Sequence, residues 1–336
     1  MRVAIIGLGR AGTIHLQAWQ ATGIAEIAAI ADPLQATRRS ARAAGLRAYA
    51  DPLAMIAAED LDAVSICTPP ASHAALAVAC LDQGLHVICE KPLTTSVRAA
   101  LQMLRAATRA RRHLLLATKF RHVPDLAVAR ALIAKGAIGE PVAFEVDFSS
   151  MVDMSQRWNC RRPVAGGGVI IDNACHAFDI VAFLFGTVTR VQATRLKQLQ
   201  DIGVEDSATI LVAAGKGLVG RIDVSWSLAT GRETYVTVYG SRGTIEVGWR
   251  RSRLRVAGKP PRRIGKGYDK LDSHRRMLAS FAEIVAGNER PWIGAGECLR
   301  TVAAVEAAYR SLRWGGWAQV DMMQMRTGRV GIEARA

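Results

Sequence analysis

The stretch VAIIGLGRAG at residues 3–12 joins an apolar run to glycines at positions 7, 9 and 12, and the residues after it have the composition of a helix. In a GxGxxG pattern the first glycine permits a tight turn, the second lets a pyrophosphate approach the backbone, and the third allows close packing of the helix. The phosphates then lie at the N-terminus of that helix. The strand, turn and helix predict a dinucleotide-binding site at Gly7, Gly9, Arg10, Ala11 and Gly12.

Asp32 ends the next apolar strand, about 20 residues after the last glycine. A carboxylate in this place accepts hydrogen bonds from the adenosine ribose. It would repel a 2′-phosphate, so NAD is favoured over NADP. Arg38 and Arg39 keep NADP open, because either guanidinium would bind a phosphate if its side chain turned back.

Short apolar strands alternate with alanine-rich helical stretches over the first 120 residues. We predict strands at 2–7, 24–31, 63–68, 86–89 and 113–118, and helices near 11–22, 34–44, 72–83 and 95–110. Parallel neighbours need crossover helices, so this alternation indicates a doubly wound parallel sheet. The predicted fold class is α/β, with an N-terminal Rossmann domain at residues 1–121.

A different pattern begins at residue 122. We predict helices near 126–135, 170–185, 273–287 and 296–313, and strands at 142–148, 188–196, 206–214, 218–227, 234–239 and 243–248. Long strands with little helix between them are typical of a large, open, mostly antiparallel sheet. We assign an α+β domain to residues 122–320, and we predict a flexible tail at 321–336.

The composition favours a soluble, globular protein of the cytoplasm. The chain has 336 residues, half of them hydrophobic, which is enough for two cores. No apolar stretch approaches the roughly 20 residues that span a bilayer, and the first residues show no cleavable signal pattern. The six cysteines have no CxxC spacing, so we expect reduced thiols and no metal site.

The formal net charge of +15 is concentrated between residues 250 and 270. This stretch contains nine lysines and arginines and a single acidic residue, Asp269. We call this stretch the basic segment. Its glycines and prolines predict an exposed hairpin end and loop, which is most simply a solvated surface. Attraction of an anionic substrate or partner is the alternative. Nucleic acid is the least favoured partner, because no nucleic-acid-binding signature accompanies the charge.

Lys91 follows the apolar strand at 86–89 in the run HVICEKP, so it is expected at the C-terminal end of a buried parallel strand. Such sheets bind ligands in the crevice at these strand ends. Glu90 would anchor a ribose or the lysine. Thr68 and Pro69 end another strand, and with His73 they suit a loop that lines the nicotinamide side.

Gly166, Gly167 and Gly168 precede a predicted helix in which Asp172, His176 and Asp179 are spaced four and then three residues apart, which places the three on one face. Removal of a hydride from an alcohol carbon requires the hydroxyl proton to leave as well. A histidine accepts a proton near neutral pH, and a lysine ammonium stabilises an oxygen that becomes a carbonyl. We therefore predict His176, Lys91 and Asp172 as the catalytic residues.

Several segments resemble those of the Gfo/Idh/MocA oxidoreductase family, which includes glucose-fructose oxidoreductase and inositol dehydrogenases. They are GLGRAG at 7–12, the strand end at Asp32, TPP at 68–70, EKP at 90–92 and GGGVIIDNACHAFD at 166–179. The resemblance runs in order over most of the chain. EKP together with the glycine-rich helix start is far more specific than the glycine motif. Ala174 departs from the family pattern, in which a glycine is common there.

The resemblance implies that Lys91 is the catalytic lysine, that Asp172 and His176 are the active-site acid and imidazole, and that the glycines and Asp32 hold the dinucleotide. Members of the family often associate through their sheets, which implies a homodimer or homotetramer. Further side chains on segments expected to border the pocket are candidate substrate contacts: Lys119, Arg121, His122, Arg157, Trp158 and Asn159.

We therefore predict an NAD-dependent dehydrogenase that acts on a secondary alcohol of a sugar, sugar derivative or cyclitol. Two alternatives stay open. A redox-neutral glycosidase would cleave glycosides with tightly held NAD and without accumulating NADH. A non-catalytic, dinucleotide-sensing regulator would bind NAD and turn over no polyol.

Overall fold

The computed structural model describes residues 1–215 and 217–320. These residues form two compact units, which are Met1–Lys119 with Lys270–Leu299, and Phe120–Asp269 with residues 300–320. The segment Lys270–Leu299 groups with the first unit, whereas the sequence pattern predicts it in the second domain. The flexible tail predicted at 321–336 lies outside the described residues.

The first unit contains a sheet with the strand order β3-β2-β1-β4-β5-β6. Its strands are β1 (Arg2–Ile6), β2 (Glu26–Ala31), β3 (Arg47–Tyr49), β4 (Ala63–Ile66), β5 (His86–Cys89) and β6 (Leu114–Leu116). Every neighbouring pair is parallel, so the predicted doubly wound parallel sheet is confirmed. The strand order reverses between β1 and β4, and such a switch point is where these sheets bind ligands.

Helices connect these strands: α1 (Arg10–Thr22), α2 (Gln35–Ala43), α3 (Pro52–Ala58), α4 (Pro70–Asp82) and α5 (Val97–Ala110). The sequence pattern does not indicate β3 and α3, which have three and seven residues. Asp51 caps α3 by accepting a hydrogen bond from the Leu53 N–H at 3.1 Å. Helix α9 (Lys270–Val285) packs on α1, where the rings of Trp19 and Phe281 meet edge to face with centroids 6.2 Å apart. This contact explains why α9 groups with the first unit.

The second unit contains a sheet with the order β14-β13-β12-β11-β7-β10-β9-β8-β15. Its strands are β7 (Pro141–Ser149), β8 (Val188–Arg195), β9 (Ser207–Ala214), β10 (Leu218–Ser225), β11 (Thr234–Gly240), β12 (Gly243–Gly248), β13 (Ser252–Val256), β14 (Arg262–Gly265) and β15 (Ala318–Gln319). Strands β7 and β10 pair in parallel and the other neighbours are antiparallel. The predicted large, mostly antiparallel sheet is confirmed.

The two faces of this sheet differ in burial. One face carries side chains that are at most 1% exposed, namely Phe144, Val146, Ile222 and Val238. The other face carries Leu211, Val219 and Tyr239, which are 38% to 39% exposed. The unit also contains α6 (Pro124–Ala134), α7 (Arg162–Ala165) and α8 (Cys175–Phe185), and α10 (Ala295–Trp314) has residues in both units.

The basic segment contains β13 and β14, which pair as an antiparallel hairpin with β14 at the sheet edge. The sequence predicts a hairpin end and loop here but neither strand. Buried Asp125 at the start of α6 anchors the basic segment by two hydrogen bonds. Its carboxylate accepts one from the Ser252 hydroxyl and one from the Gly267 N–H, the latter at 2.8 Å.

One helical segment among the described residues, Arg162–Phe185, is long and apolar enough to cross a membrane by length and composition. The prediction that no apolar stretch approaches that length is therefore wrong. Of the most apolar window of this segment, 72% is buried inside the protein. Helix α8 packs against β7, β8 and β9, so the core of the second unit accounts for the apolar composition.

Candidate active site

The glycine turn after β1 leaves room for a pyrophosphate. Gly7 has a φ of +87°, and a Cβ atom at Gly12 would lie 1.9 Å from the Gly7 carbonyl oxygen, so α1 approaches the turn too closely for any other residue. A Cβ at Gly9 would meet nothing within 4 Å. Gly9 is also the N-cap residue of α1, whose first turn begins with Arg10 and Ala11. The turn therefore fits a phosphate at a helix N-terminus.

Asp32 is 7% exposed and is held next to this turn by backbone hydrogen bonds. One carboxylate oxygen accepts the Leu8 N–H at 2.8 Å, and the other accepts the Leu34 N–H at 2.9 Å. A carboxylate oxygen has lone pairs for two hydrogen bonds, so Asp32 keeps the capacity to bind ribose hydroxyls. The residues present therefore fit the adenosine half of a dinucleotide.

Arg38 lies at the turn between β2 and α2. One of its guanidinium nitrogens donates to the carbonyl oxygens of Asp32 and Pro33, at 2.8 and 2.7 Å. The side chain is therefore turned back toward Asp32, which is the orientation in which Arg38 would bind the 2′-phosphate of NADP. Arg39 is exposed.

His73 is completely buried on α4. One ring nitrogen, Nε2, lies 2.7 Å from the Thr68 carbonyl oxygen, while Nδ1 lies 3.0 and 3.2 Å from the carbonyl oxygens of Pro92 and Leu93. Burial lowers the pKa of His73. The imidazole thus lies between the turn after β4 and the turn after β5, and the cofactor contact predicted for it stays a prediction.

Glu90 continues β5 by donating its N–H to the Ile66 carbonyl at 2.9 Å. Its carboxylate accepts the Lys91 N–H at 3.0 Å and lies 3.1 Å from Nε2 of His15. Burial raises the pKa of Glu90, but the hydrogen bond from His15 and nearby positive charge, including that of Lys119, outweigh burial and lower it. Glu90 is therefore an ionised, 8% exposed residue that binds the Lys91 backbone, and its predicted ribose contact stays a prediction.

The glycines before Asp172 pack against a buried acid and a tyrosine. The Glu205 carboxylate accepts the N–H groups of Gly168 and Ile170 at 3.0 and 3.2 Å, and the Tyr309 hydroxyl at 2.6 Å. A Cβ at Gly167 would lie 1.9 Å from that hydroxyl oxygen, and a Cβ at Gly168 would lie 2.1 Å from the Glu205 carbonyl oxygen. Burial raises the pKa of Tyr309. Glu205 therefore fixes the start of the helix that carries Asp172 and His176.

This helix begins with a π-helical turn, Ile170–Ala174, which is followed by α8. The continuous α-helix predicted near 170–185 is wrong at this end, so α-helical spacing does not relate Asp172 to His176. Both side chains are half-buried. Single π-turns within helices occur frequently at functional sites.

Aromatic rings surround His176 in the second unit. Its imidazole meets the ring of Phe120 edge to face, with centroids 5.2 Å apart, and lies 6.2 Å from the ring of Phe148. Phe120 in turn stacks on Tyr268 at 5.2 Å. No sequence motif indicates this cluster, because its members come from separate strands and turns.

The predicted substrate contacts occupy different surroundings. Arg121 is 5% exposed in its side chain and pairs at 2.9 Å with buried Asp179, so both help to hold α8. Trp158 is 40% exposed and Arg157 is half-buried beside it. Lys91 and Lys119 belong to the first unit, and Asp172 and His176 to the second. The convergence of these groups on one substrate stays a prediction.

The parallel sheet, the glycine turn with room for a phosphate at a helix N-terminus and the buried carboxylate beside it together fit a dinucleotide-binding domain. Residues 1–118 match the family described as "Oxidoreductase family, NAD-binding Rossmann fold", and residues 126–246 match the family described as "GFO/IDH/MocA C-terminal domain". The chain belongs to the Gfo/Idh/MocA oxidoreductase family. The predicted family, fold class and enzyme class are confirmed.

Curated relatives align over nearly the whole chain. D-apiose dehydrogenase from Paraburkholderia graminis is 31% identical over 341 residues, which cover 96% of this chain and 90% of that protein. Inositol 2-dehydrogenase from Rhizobium meliloti is 26% identical, with 93% of this chain and 97% of that protein covered.

Solved structures share the architecture. An oxidoreductase from Agrobacterium radiobacter in complex with NAD+, L-tartaric acid and magnesium has a TM-score of 0.87 and 26% identity, and the match covers 96% of this chain and 99% of that one. Levoglucosan dehydrogenase in complex with NADH and levoglucosan has a TM-score of 0.88 at 20% identity, with 95% and 99% covered, and shows the fold alone.

Proposed function

We propose that this protein oxidises a secondary alcohol of a sugar, a sugar derivative or a cyclitol with NAD, and reduces the matching ketone in the reverse direction. The observation that carries the proposal is the place of Lys91, at the C-terminal end of β5 in the unit that contains the glycine turn. The relatives whose names specify apiose, inositol or levoglucosan all act on polyhydroxylated rings or chains.

When it is bound, the nicotinamide supplies the hydride chemistry. The side chain of Lys91 donates a hydrogen bond to the reacting oxygen and stabilises it as it becomes a carbonyl. His176 accepts the hydroxyl proton, and Asp172 orients the imidazole or binds a neighbouring hydroxyl. Arg157, Trp158, Lys119 and Arg121 are proposed to shape the rest of the substrate site.

The experiment that tests this function is a panel of sugars, cyclitols, aminocyclitols and sugar nucleotides, in which NADH formation is followed by absorbance. Phosphorylated members belong in the panel because the basic segment would attract anions. We expect NADH with at least one polyol. Glycoside cleavage without NADH would instead indicate the redox-neutral glycosidase. NAD binding without any turnover would indicate the sensing regulator.

We propose NAD, rather than NADP, as the preferred cofactor, because the Asp32 carboxylate lies where a 2′-phosphate would be repelled. Replacing Asp32 with serine should raise the ratio of kcat/KM for NADP to that for NAD by about tenfold or more, since like charges about 4 Å apart repel by several kcal/mol near a protein surface. Steady-state kinetics with both cofactors measure this ratio.

The matched control is Asp51→Ser, which replaces the capping aspartate of α3 in the same unit and should leave the ratio unchanged. If Asp32→Ser also leaves the ratio unaltered, Asp32 does not select the ribose. Arg38 would then be the residue to replace next.

We further propose that the protein acts in the cytoplasm as a homodimer or homotetramer that forms through the sheet of the second unit. The exposed face of this sheet supports an interface, because Leu211, Val219 and Tyr239 lie on it together with the ion pair of Arg221 and Glu145 at 3.4 Å. We also propose a division of the chain at residues 121 and 122, with a dinucleotide-binding domain before it and a substrate-binding and oligomerisation domain after it.

A further inference from the structure

Two buried histidines lie beside the Lys91 turn: His15 contacts the Glu90 carboxylate, and His73 contacts backbone carbonyls. His15 lies on α1 and is 0% exposed, and its Nε2 is 3.1 Å from a Glu90 oxygen. An ionised carboxylate only accepts hydrogen bonds, so Nε2 carries the proton. The other Glu90 oxygen accepts the Lys91 N–H at 3.0 Å. A chain of two hydrogen bonds therefore links α1 to the backbone of Lys91.

The charges around Glu90 keep this chain intact. Although burial raises the pKa of Glu90, the His15 hydrogen bond and nearby positive charge lower it, so the acceptor is a carboxylate. Hydrogen bonds to a charged acceptor are about twice as strong as neutral ones. Burial lowers the pKa of His274 to about 3, so His274 is neutral. Its Nδ1 donates to the Lys270 carbonyl at 2.6 Å, and its ring meets that of His15 edge to face at 5.7 Å.

The same three side chains resemble a metal site, because ligand atoms of His15, Glu90 and His274 lie within 4.8 Å of one another. Two histidines and a glutamate form a known zinc ligand set. However, His15 and Glu90 already bond to each other directly. The positive charge of Lys119 also acts on Glu90 and His274, and it would oppose a second cation. The contacts therefore favour a hydrogen-bonded cluster.

His73 acts on the other end of the Lys91 turn. Its ring nitrogens face the carbonyl oxygens of Thr68 at 2.7 Å, of Pro92 at 3.0 Å and of Leu93 at 3.2 Å. These are backbone acceptors of two turns, at the C-terminal ends of the neighbouring strands β4 and β5. Burial lowers the pKa of His73, so the neutral imidazole has one N–H and donates to only one of the two turns, while its other ring nitrogen lies against the second turn. His15, through Glu90, fixes the N–H of Lys91, and His73 packs against the carbonyls that follow it.

We propose that His15 and His73 are positioning residues, which hold the peptide groups on both sides of Lys91 so that its ammonium group stays in one place. The proposal rests on the role given to Lys91 above. A displacement of about 1 Å in a catalytic group costs as much as 10²-fold in rate. Buried hydrogen bonds from two helices restrict such a displacement more than a solvated turn would.

The test combines kinetics with the amide resonance of Lys91. His15→Phe and His73→Phe keep a ring but remove the donors, and we expect kcat to fall by about tenfold to a hundredfold while the Kd for NAD, measured by calorimetry, is unchanged. His15→Gln and His73→Gln restore a donor and should recover most of the turnover. The Lys91 amide proton, shifted downfield by its carboxylate acceptor, should move upfield in His15→Phe and in Glu90→Gln.

His113→Phe is the matched control, because His113 is a half-buried histidine of the same unit that stacks on His86 away from Glu90. It should change neither kcat nor the Lys91 resonance. If a phenylalanine variant does not fold, Glu90→Gln carries the same resonance test.

Full turnover in both phenylalanine variants, with Lys91→Ala inactive, would overturn the proposal. So would one equivalent of zinc per chain, measured by mass spectrometry of the purified protein. Full turnover in Lys91→Ala would instead refute the proposed function. The Lys91 amide resonance of the wild type, compared with that of His15→Phe and Glu90→Gln, would still show whether His15 and Glu90 hold this turn.

Discussion

Replacing Lys91 with alanine should lower kcat by about 10² to 10³-fold, the usual cost of removing one preorganised donor to a developing oxyanion. The Kd for NAD should stay unchanged, because the glycine turn and Asp32 supply the dinucleotide contacts. Stopped-flow or steady-state measurement of NADH, with calorimetric titration of NAD, separates the two effects. His176→Ala should also lower the rate and change its pH profile, since it removes the proposed proton acceptor.

Lys135→Ala is the matched control for the loss of one positive charge, because Lys135 is an exposed residue at the end of α6. We expect it to retain the wild-type kcat. Unchanged turnover in both Lys91→Ala and His176→Ala would refute the proposed site.

Alanine at Gly12 should lower the stability of the protein, whereas alanine at Gly9 should leave it unchanged. The new Cβ at position 12 would lie 1.9 Å from a backbone oxygen of Gly7, and a backbone atom moves less readily than the end of a side chain. We expect Gly12→Ala to lower the melting temperature and to abolish NAD binding, since overpacking costs about 1 to 3 kcal/mol or more. Gly9→Ala should keep the melting temperature, because a Cβ there meets nothing within 4 Å.

Gly9→Ala should nevertheless weaken NAD binding by about tenfold or more, because the methyl group would occupy the space through which the pyrophosphate approaches. Thermal unfolding and calorimetric titration measure the two quantities. Gly203→Ala in the second unit, where a Cβ also meets nothing within 4 Å, is the control and should change neither. Wild-type NAD affinity in Gly9→Ala would show that the pyrophosphate lies elsewhere.

The parallel sheet could be predicted from the sequence because its strands are continuous apolar runs and its turn has a glycine pattern. Strands β3, β13 and β14 could not, since β3 is the short stretch RAY without an apolar run and the other two lie in a basic segment. The π-turn at Ile170–Ala174 also has no signal in a periodic pattern. These elements depend on neighbours that pair with them rather than on their own composition.

Part of the candidate site could also be predicted from local sequence patterns. Lys91 and His176 follow local motifs, whereas His15 contacts Glu90 across 75 positions and Tyr309 contacts Glu205 across 104. The one local sign for His15 is a polar residue on the buried side of α1, next to Ala18 and Trp19. A single sequence does not reveal which distant carboxylate such a histidine meets.

Both units are completed by residues that follow the rest of the unit at a long distance along the chain. The first unit needs Phe281 of α9 to cover Trp19, and the second needs Tyr309 of α10 to bond Glu205. A nascent chain that has emerged only as far as residue 269 can form the parallel strands but not this covering layer. The chain must therefore be synthesised past Phe281 before the first unit reaches its final packing, and past Tyr309 before the second does, and the apolar surface around Trp19 stays exposed until then.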